Sequence, residues 1–342
     1  MTSQRKLDHV RIVSEEDVAF QQTGTGLGEY RFLHQALPEI DKGDVNTGLH
    51  FFGRALAAPL VIASMTGGAW PTAEINERLA EAAQMCGVAM GVGSQRAALE
   101  NPALAKTYQV RRVAPHILLF ANLGAVQLNY GYGVEQCRRA VEMIEADALI
   151  LHLNPLQEAV QAHGNTNFGG LLKKIETVCR TLTVPVIAKE VSWGIDEATA
   201  RRLADAGVSA IDVAGAGGTS WTEVERHRAP SEHLANIAAT FQDWGIPTAD
   251  SILMAQSGAP SLPIIASGGL RSGLDAAKCL ALGATLASMA APYLKPATVS
   301  TEAVISKINE TIEELRITMF CLGITTLADL RHTPLLKKVA TQ

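Results

Sequence analysis

ALILHLNPLQE, residues 148–158, is the stretch on which the fold turns. Its first four residues are apolar at every position, with no alternation of polar and apolar. Strands of that kind are buried on both faces, as in a parallel sheet. Within the next seven positions the chain places His152, Asn154, Gln157 and Glu158: an imidazole, two amides and a carboxylate. Strands end in loops and loops are polar, so the stretch by itself leaves open whether these groups are more than a solvated turn. Its neighbours decide.

Seven further runs share the pattern: PLVIASM (59–65), VAMGVG (88–93), ILLFANLG (117–124), PVIAKEV (185–191), AIDVAGAG (210–217), PIIASGG (263–269) and ATLASMA (284–290). Amphipathic segments of helical period separate most of them, as at 73–86, 134–146, 171–182 and 196–206. Strand–helix alternation repeated eight times predicts an α/β fold, a (β/α)8 TIM barrel, with an open doubly wound sheet as the alternative, because periodicity does not reveal closure. One domain over 1–342 is expected: an N-terminal extension (1–57), the barrel (58–295) and C-terminal helices (296–342). Residues 218–247 read as a long loop insertion after the sixth strand, the side of a barrel where active sites are built. GTGLGEY (24–30) lacks the dinucleotide-binding spacing and reads as a flexible loop.

The net charge of −5 and pI near 6.0 offer no general attraction for nucleic acid or an acidic membrane. An anionic ligand therefore needs a local cluster of cations and backbone N–H groups. The five cysteines form no C-x-x-C pair and are expected to pack as small apolar groups. No apolar leader follows the N-terminus, and the longest apolar stretch, 279–294, is interrupted by Gly283 and Pro292. A cytoplasmic protein is expected.

The runs end in groups that bind. The first gives Ser64, Met65, Thr66 and Gly67; the second Ser94, Gln95 and Arg96; the third Asn122; the fifth Lys189; the sixth Thr219. The seventh gives Gly268, Gly269, Leu270 and Arg271, and the eighth Ala290 and Ala291. In a barrel the loops after the last two strands and a following helix N-terminus form the usual phosphate site, although Gly-Gly also suits a plain tight turn. Lys189 lies in an apolar strand with Glu190 directed to the opposite face, so it needs another anion, for which a bound cofactor is expected. Glu158 is a candidate single carboxylate for a divalent cation whose other ligands are phosphate oxygens. His152 fits either this chemistry or a hydrogen-bonded core. Arg5, Lys6 and His9 form the cationic start of the chain, either a solvated tail or a cover that neutralises an anionic substrate. The tryptophans at 193, 221 and 244 look dispersed, with no base-stacking platform.

In order along the chain stand R-K-x-D-H (5–9), A-x-M-T-G-G (63–68), G-S-Q-R (93–96), H-x-N-x-x-Q-E (152–158), A-K-E (188–190), A-G-A-G-G-T-S-W (214–221) and S-G-G-L-R-S-G (267–273). Together they closely resemble type II isopentenyl-diphosphate delta-isomerase, the FMN-dependent form, from Arg5 to about Ala291. Asp8, where that family often has Glu, is a mild departure. The last two motifs also resemble the wider FMN-dependent α-hydroxy-acid oxidase and IMP dehydrogenase barrels.

The resemblance implies FMN held by Ser64, Met65, Thr66, Gly67, Ser94, Asn122, Lys189 and Thr219. It places the FMN phosphate on Gly268, Gly269, Leu270 and Arg271 with Ala290 and Ala291. It implies substrate contacts from Arg5, Lys6, His9, Ser94, Gln95, Arg96, His152, Asn154 and Gln157, and Mg2+ on Glu158. The implied activity interconverts isopentenyl and dimethylallyl diphosphate, with His152, Gln157 and Lys189 as the catalytic set. Reduced FMN would act as acid and base, NADPH or NADH would reduce it, and Lys189 would stabilise its anion. A homo-oligomer, tetramer or octamer, is also implied. Two alternatives stay open: an FMN oxidase of 2-hydroxy acids, with His227 and Arg228 as its reactive pair, and a non-catalytic flavin- or phosphate-binding barrel.

Overall fold

The computed structural model describes residues 2–339, except for the side chains of residues 2–5 and 7. Three short strands precede the main sheet: β1 (Tyr30–Phe32), β2 (Leu49–Phe51) and β3 (Arg54–Leu56). The eight apolar runs then supply β4 (Leu60–Ile62), β5 (Ala89–Gly91), β6 (Leu119–Gly124), β7 (Ala148–Leu153), β8 (Val186–Glu190), β9 (Ala210–Asp212), β10 (Ile264–Ala266) and β11 (Leu286–Met289). All pair in parallel, and β10 and β11 link β9 back to β4, closing the barrel. Closure is what removes the open-sheet alternative. It leaves no exposed edge for these short strands.

The pleat explains why an apolar strand ends in polar groups. Side chains alternate between the barrel interior and the helical shell. Inside, Val61, Phe120, Ile150, Ile187, Ala210, Ile265 and Leu286 form one apolar cluster. Two residues further along the same inward face stand Asn122, His152, Lys189, Asp212, Ser267 and Ser288. Register keeps these ends level, with His152 beside Lys189 and Lys189 beside Asp212. The interior therefore changes from hydrocarbon to polar in one step, at the C-terminal ends of the strands. The outward faces pack against the helices in a second, larger cluster.

The opposite end is closed by the β2–β3 hairpin, whose Phe51 and Leu56 join the interior cluster with Leu49 and Phe52 against it. Its turn uses positive φ at both Phe52 (45°) and Gly53 (76°), the twist a two-residue hairpin requires. Helix Thr301–Phe320 buries Val304, Ile308, Leu315 and Met319 on one face. The chain end is not helical throughout: β12 (Leu336–Lys338) returns to pair antiparallel with β1.

Two expectations are corrected. The insertion after β9 is helical rather than a long loop: Trp221–Arg228 buries Val224 against Ile12 and Val18, and Ser231 caps the second helix, Glu232–Thr240. GTGLGEY is not a flexible loop. It contains the turn Leu27–Glu29, with Leu27 buried, Lys278 Nζ donating to Leu27 O (2.9 Å), and Ala249 N donating to Thr25 O (2.9 Å). Among the described residues the cysteines form no disulfide, and no helix is long and apolar enough to cross a membrane.

Candidate active site at the C-terminal rim

A cavity of about 270 Å³ opens where the barrel interior turns polar. Residues from all eight strand ends meet there, including Ser64, Ser94, Asn122, His152, Lys189, Thr219, Ser267 and Ala290. Met65, Thr66, Arg96, Asn154, Gln157 and Glu158 also face it.

One corner has the form of an anion cradle. Gly268 and Gly269 have φ of 106° and 76°, and a Cβ would come within 2.0 Å of Gly215 O at the first and 2.5 Å of Gly217 O at the second. Only glycine lets this turn lie so close to its neighbour. Ala290 and Ala291 also line the cavity, where helix Ala291–Val299 starts with its positive dipole end; Pro292 has no N–H, and Tyr293 N and Leu294 N both donate to Ala290 O. Arg271 lines the cavity too, and its N donates to Asp275 Oδ2 (3.0 Å). Thr25, from the N-terminal extension, packs behind Gly269.

The floor is a set of paired inward groups. His152 Nδ1 lies 2.7 Å from Asn122 Oδ1, which orients the imidazole. Lys189 Nζ donates to Glu190 O (2.9 Å) and lies 3.6 Å from Asp212 Oδ2. The sequence reading left Lys189 awaiting a cofactor anion; the fold provides one from the adjacent strand, which spacing of 23 residues along the chain concealed. Glu190, on the outer face, accepts from the backbone N–H groups of Val191, Ser192 and Trp193, each at 2.6 Å, and so shapes the loop beside Lys189.

A lid covers the floor. Helix Thr2–Glu15 brings Lys6, His9, Val10 and Val13 to the cavity, and the segment after it is tied down by Phe20 N to Gly218 O and Ser220 N to Val18 O. His9 lies 3.4 Å from Glu225 Oε1 and meets the edge of Trp221 at 4.9 Å between centroids. Glu225, on the insertion, also accepts from Gln157 Nε2 (2.9 Å) and Arg228 Nη1 (2.6 Å). Burial favours its neutral form, yet hydrogen bonds from His9 and Gln157 with the Arg228 charge outweigh this and hold it below the usual carboxylate range. Burial likewise depresses His9 below the ordinary histidine value, against the pull of Glu225. Glu225, Asp212 and Trp221 were missed in the sequence. Trp221 and Glu225 stand four apart, one helical turn, but only a helical reading of 218–247 would have shown it. Trp193 and Trp221 are not dispersed; both pack around Phe20 and Ala216.

Glu158 is buried rather than solvated. Its carboxylate accepts from Asn154 Nδ2 (3.1 Å), Asn165 N (2.6 Å) and Gln161 Nε2. Asn154 Oδ1 beside it is a buried acceptor without a protein partner. Among the described residues no three His, Cys, Asp or Glu side chains gather around a metal position. A carboxylate and an amide oxygen suit a hard cation that takes its remaining ligands from phosphate and water.

Two expected contacts are placed elsewhere. Gln95 is fully buried between β6 and helix Val134–Ile144: its Nε2 donates to Ala140 O (2.8 Å) and its Oε1 accepts from Asn122 N (3.0 Å). It braces β6 and does not face substrate. Gly67 has φ of 131° and lies against the Tyr108 ring, where a Cβ would fall 2.2 Å from the nearest ring atom; it serves packing and does not line the cavity. The side chain of Arg5 lies outside the described residues. His227 and Arg228 do not line the cavity either, and Arg228 is engaged by Glu225 and Asp8.

The residues present fit FMN. Ser64 Oγ and Thr66 Oγ1 are buried polar atoms with no protein partner, and Lys189, Gly268 and Gly269 line the same cavity. Comparison with known proteins agrees. The sequence pattern of the family described as FMN-dependent dehydrogenase matches residues 1–112 and 137–337. The chain is 52% identical over 339 residues to an isopentenyl-diphosphate delta-isomerase of Nostoc sp., covering 99% of this chain and 97% of that one. It is 54% identical over 334 residues to one from Stutzerimonas stutzeri, covering 97% and 96%. Among solved structures it resembles a lactate oxidase of Pediococcus acidilactici (TM-score 0.69, 17% identity, 99% and 93% covered). It also resembles a mandelate oxidase with (S)-2-phenylpropionate (TM-score 0.68, 19% identity, 99% and 98% covered). At those identities the two oxidases share the fold.

Proposed function

The chain belongs to the FMN-dependent dehydrogenase family and, within it, to the isopentenyl-diphosphate delta-isomerases; from that premise we propose how the rim residues divide the work. The reaction takes isopentenyl diphosphate to dimethylallyl diphosphate by adding a proton at the terminal alkene carbon and removing one from the carbon nearer the diphosphate. Neither carbon is acidic or basic in water, so the site must supply a strong acid and tolerate positive charge.

Ser64, Thr66, Asn122, Lys189 and Thr219 hold FMN, with its phosphate on the Gly268–Gly269 turn and the start of helix Ala291–Val299. In its reduced form FMN supplies an acid–base group and an electron-rich ring that favours positive charge on the substrate carbons. Lys6, Ser94 and Arg96 hold the diphosphate, and Glu158 with Asn154 presents Mg2+ to it. His152 and Gln157 fix the carbon skeleton, each oriented by a second group: Asn122 for His152 and Glu225 for Gln157. The lid helix excludes water from the reacting carbons. NADPH or NADH serves as reductant, with no net redox change per turnover. Assembly into a homo-oligomer, a tetramer or octamer in the cytoplasm, rests on the family resemblance alone.

The observation that carries this reading is the convergence of a phosphate cradle, a cavity-facing lysine and a cationic lid on one cavity. Purified protein should be yellow. With NADPH, Mg2+ and isopentenyl diphosphate it should yield dimethylallyl diphosphate. A colourless protein, or one that consumes oxygen with lactate or glycolate and leaves isopentenyl diphosphate unchanged, overturns the reading.

A further inference from the structure

We propose that Asp212 is a positioning residue that keeps Lys189 a cation directed at the cavity and ties that cation to the phosphate turn. The inference rests on the reading of the cavity as an FMN site and adds a residue to it. Lys189 and Asp212 are register partners on adjacent parallel strands, so both side chains project into the barrel from one face. Lys189 Nζ lies 3.6 Å from Asp212 Oδ2. The other carboxylate oxygen, Oδ1, accepts from Ser267 Oγ at 2.5 Å. Ser267 lines the cavity and opens the Gly268–Gly269 turn.

Asp212 itself does not line the main cavity. It bounds a separate void of about 10 Å³ beneath it, with Ser64 and Ser288. It therefore acts through its neighbours rather than on substrate or cofactor. The titratable groups facing Lys189 are Asp212 from β9 and His152 from β7, whose Nδ1 is engaged with Asn122; Glu190 adjoins it in sequence with its carboxylate turned to backbone N–H groups. Asp212 is thus the anion that offsets the buried ammonium. Without it, desolvation drives a buried lysine toward its neutral form.

The test is FMN binding, read by flavin fluorescence and by the visible absorption band, with no turnover required. Asp212→Asn, which keeps an acceptor for Ser267, should weaken binding by about tenfold or more and move the absorption band. Adding Lys189→Met to Asp212→Asn should weaken binding no further than Lys189→Met does alone, because Asp212 acts through Lys189. If Asp212→Asn folds poorly, the double variant should recover its thermal midpoint, because removing both partners relieves the unpaired buried charge. An Asp212→Asn protein whose FMN affinity is unchanged, or a poorly folded one that the second change does not rescue, overturns the inference alone. A wild-type protein that binds no FMN overturns the functional reading and takes the inference with it.

Discussion

Glu158 and Glu190 are both buried carboxylates, and their surroundings assign them opposite work. Glu158 spends its oxygens on side-chain amides and one backbone N–H beside an unpartnered amide oxygen. Glu158→Gln should raise the Mg2+ concentration for half-maximal isomerase activity by roughly tenfold or more while the FMN spectrum stays unchanged; an unaltered metal requirement would count against its role. Lys189→Ala should lose flavin retention or reduced-flavin activity with circular dichroism preserved. Glu190 is fully enclosed, and burial pushes it up to about 7 despite three backbone N–H donors. Its folded value thus exceeds the ordinary 4.5, so its contribution to stability is complete below that value and is lost as pH rises through about 7. The change is on the order of 3 kcal/mol. Glu190→Gln keeps an oxygen for the three donors, and its thermal midpoint should vary less between pH 5 and pH 8 than that of the wild type. At this scale A-K-E was legible as a lysine wanting an anion. That the anion is Asp212 was not, because strand pairing is invisible along the chain.

Among the elements, the lid helix Thr2–Glu15 depends on two groups that respond to acid in the same sense. Burial lowers His9 in the docked lid below the ordinary 6.5, against the pull of Glu225, so an undocked lid takes up a proton more readily than a docked one as pH falls through that value. Glu225, held below its ordinary value, stabilises docking above 4.5 and loses this as pH falls through its lowered value. Docking should therefore weaken steadily on acidification. Tryptic cleavage at Lys6 and Arg11 should accelerate from about pH 6.5 downward, with a parallel change in Trp221 fluorescence. Glu225→Gln should raise cleavage at neutral pH and flatten this response; cleavage rates indifferent to both pH and that substitution would refute the latch. The insertion helices show where sequence patterning was insufficient. WTEVERHR is strongly charged, and helix Trp221–Arg228 buries Val224 and Glu225 against the lid and the short helix Pro155–Val160 after β7. Its amphipathic face is complementary to another element rather than to the barrel, so it lacked the apolar stripe that marks the other helices.

For the whole molecule, the barrel carries its chemistry at one end and its seal at the other. Phe51 and Leu56 of the β2–β3 hairpin seal the end away from the cavity. Phe51→Ala should cost about 3–5 kcal/mol in denaturant unfolding while FMN affinity is unchanged, since that end and the rim are separated by the apolar interior; a loss of affinity equal to the loss of stability would show that the two ends are coupled. Eight unalternating runs, their intervening helices and the order of their polar ends were all present in the sequence, because burial on both faces and glycine at strand ends are local demands that each segment meets by itself. That polar strand ends such as Ser64, Asn122, Lys189 and Ser267 meet at one rim was readable for the same reason. Tertiary structure alone decided that Gln95 faces away from the cavity, that Gly67 packs on Tyr108, that Asp212 meets Lys189 and that Glu225 holds both His9 and Gln157. Those pairings depend on barrel register and on helices from distant segments meeting over the rim, and neither distance nor direction between separate strands is encoded in the periodicity of any one of them.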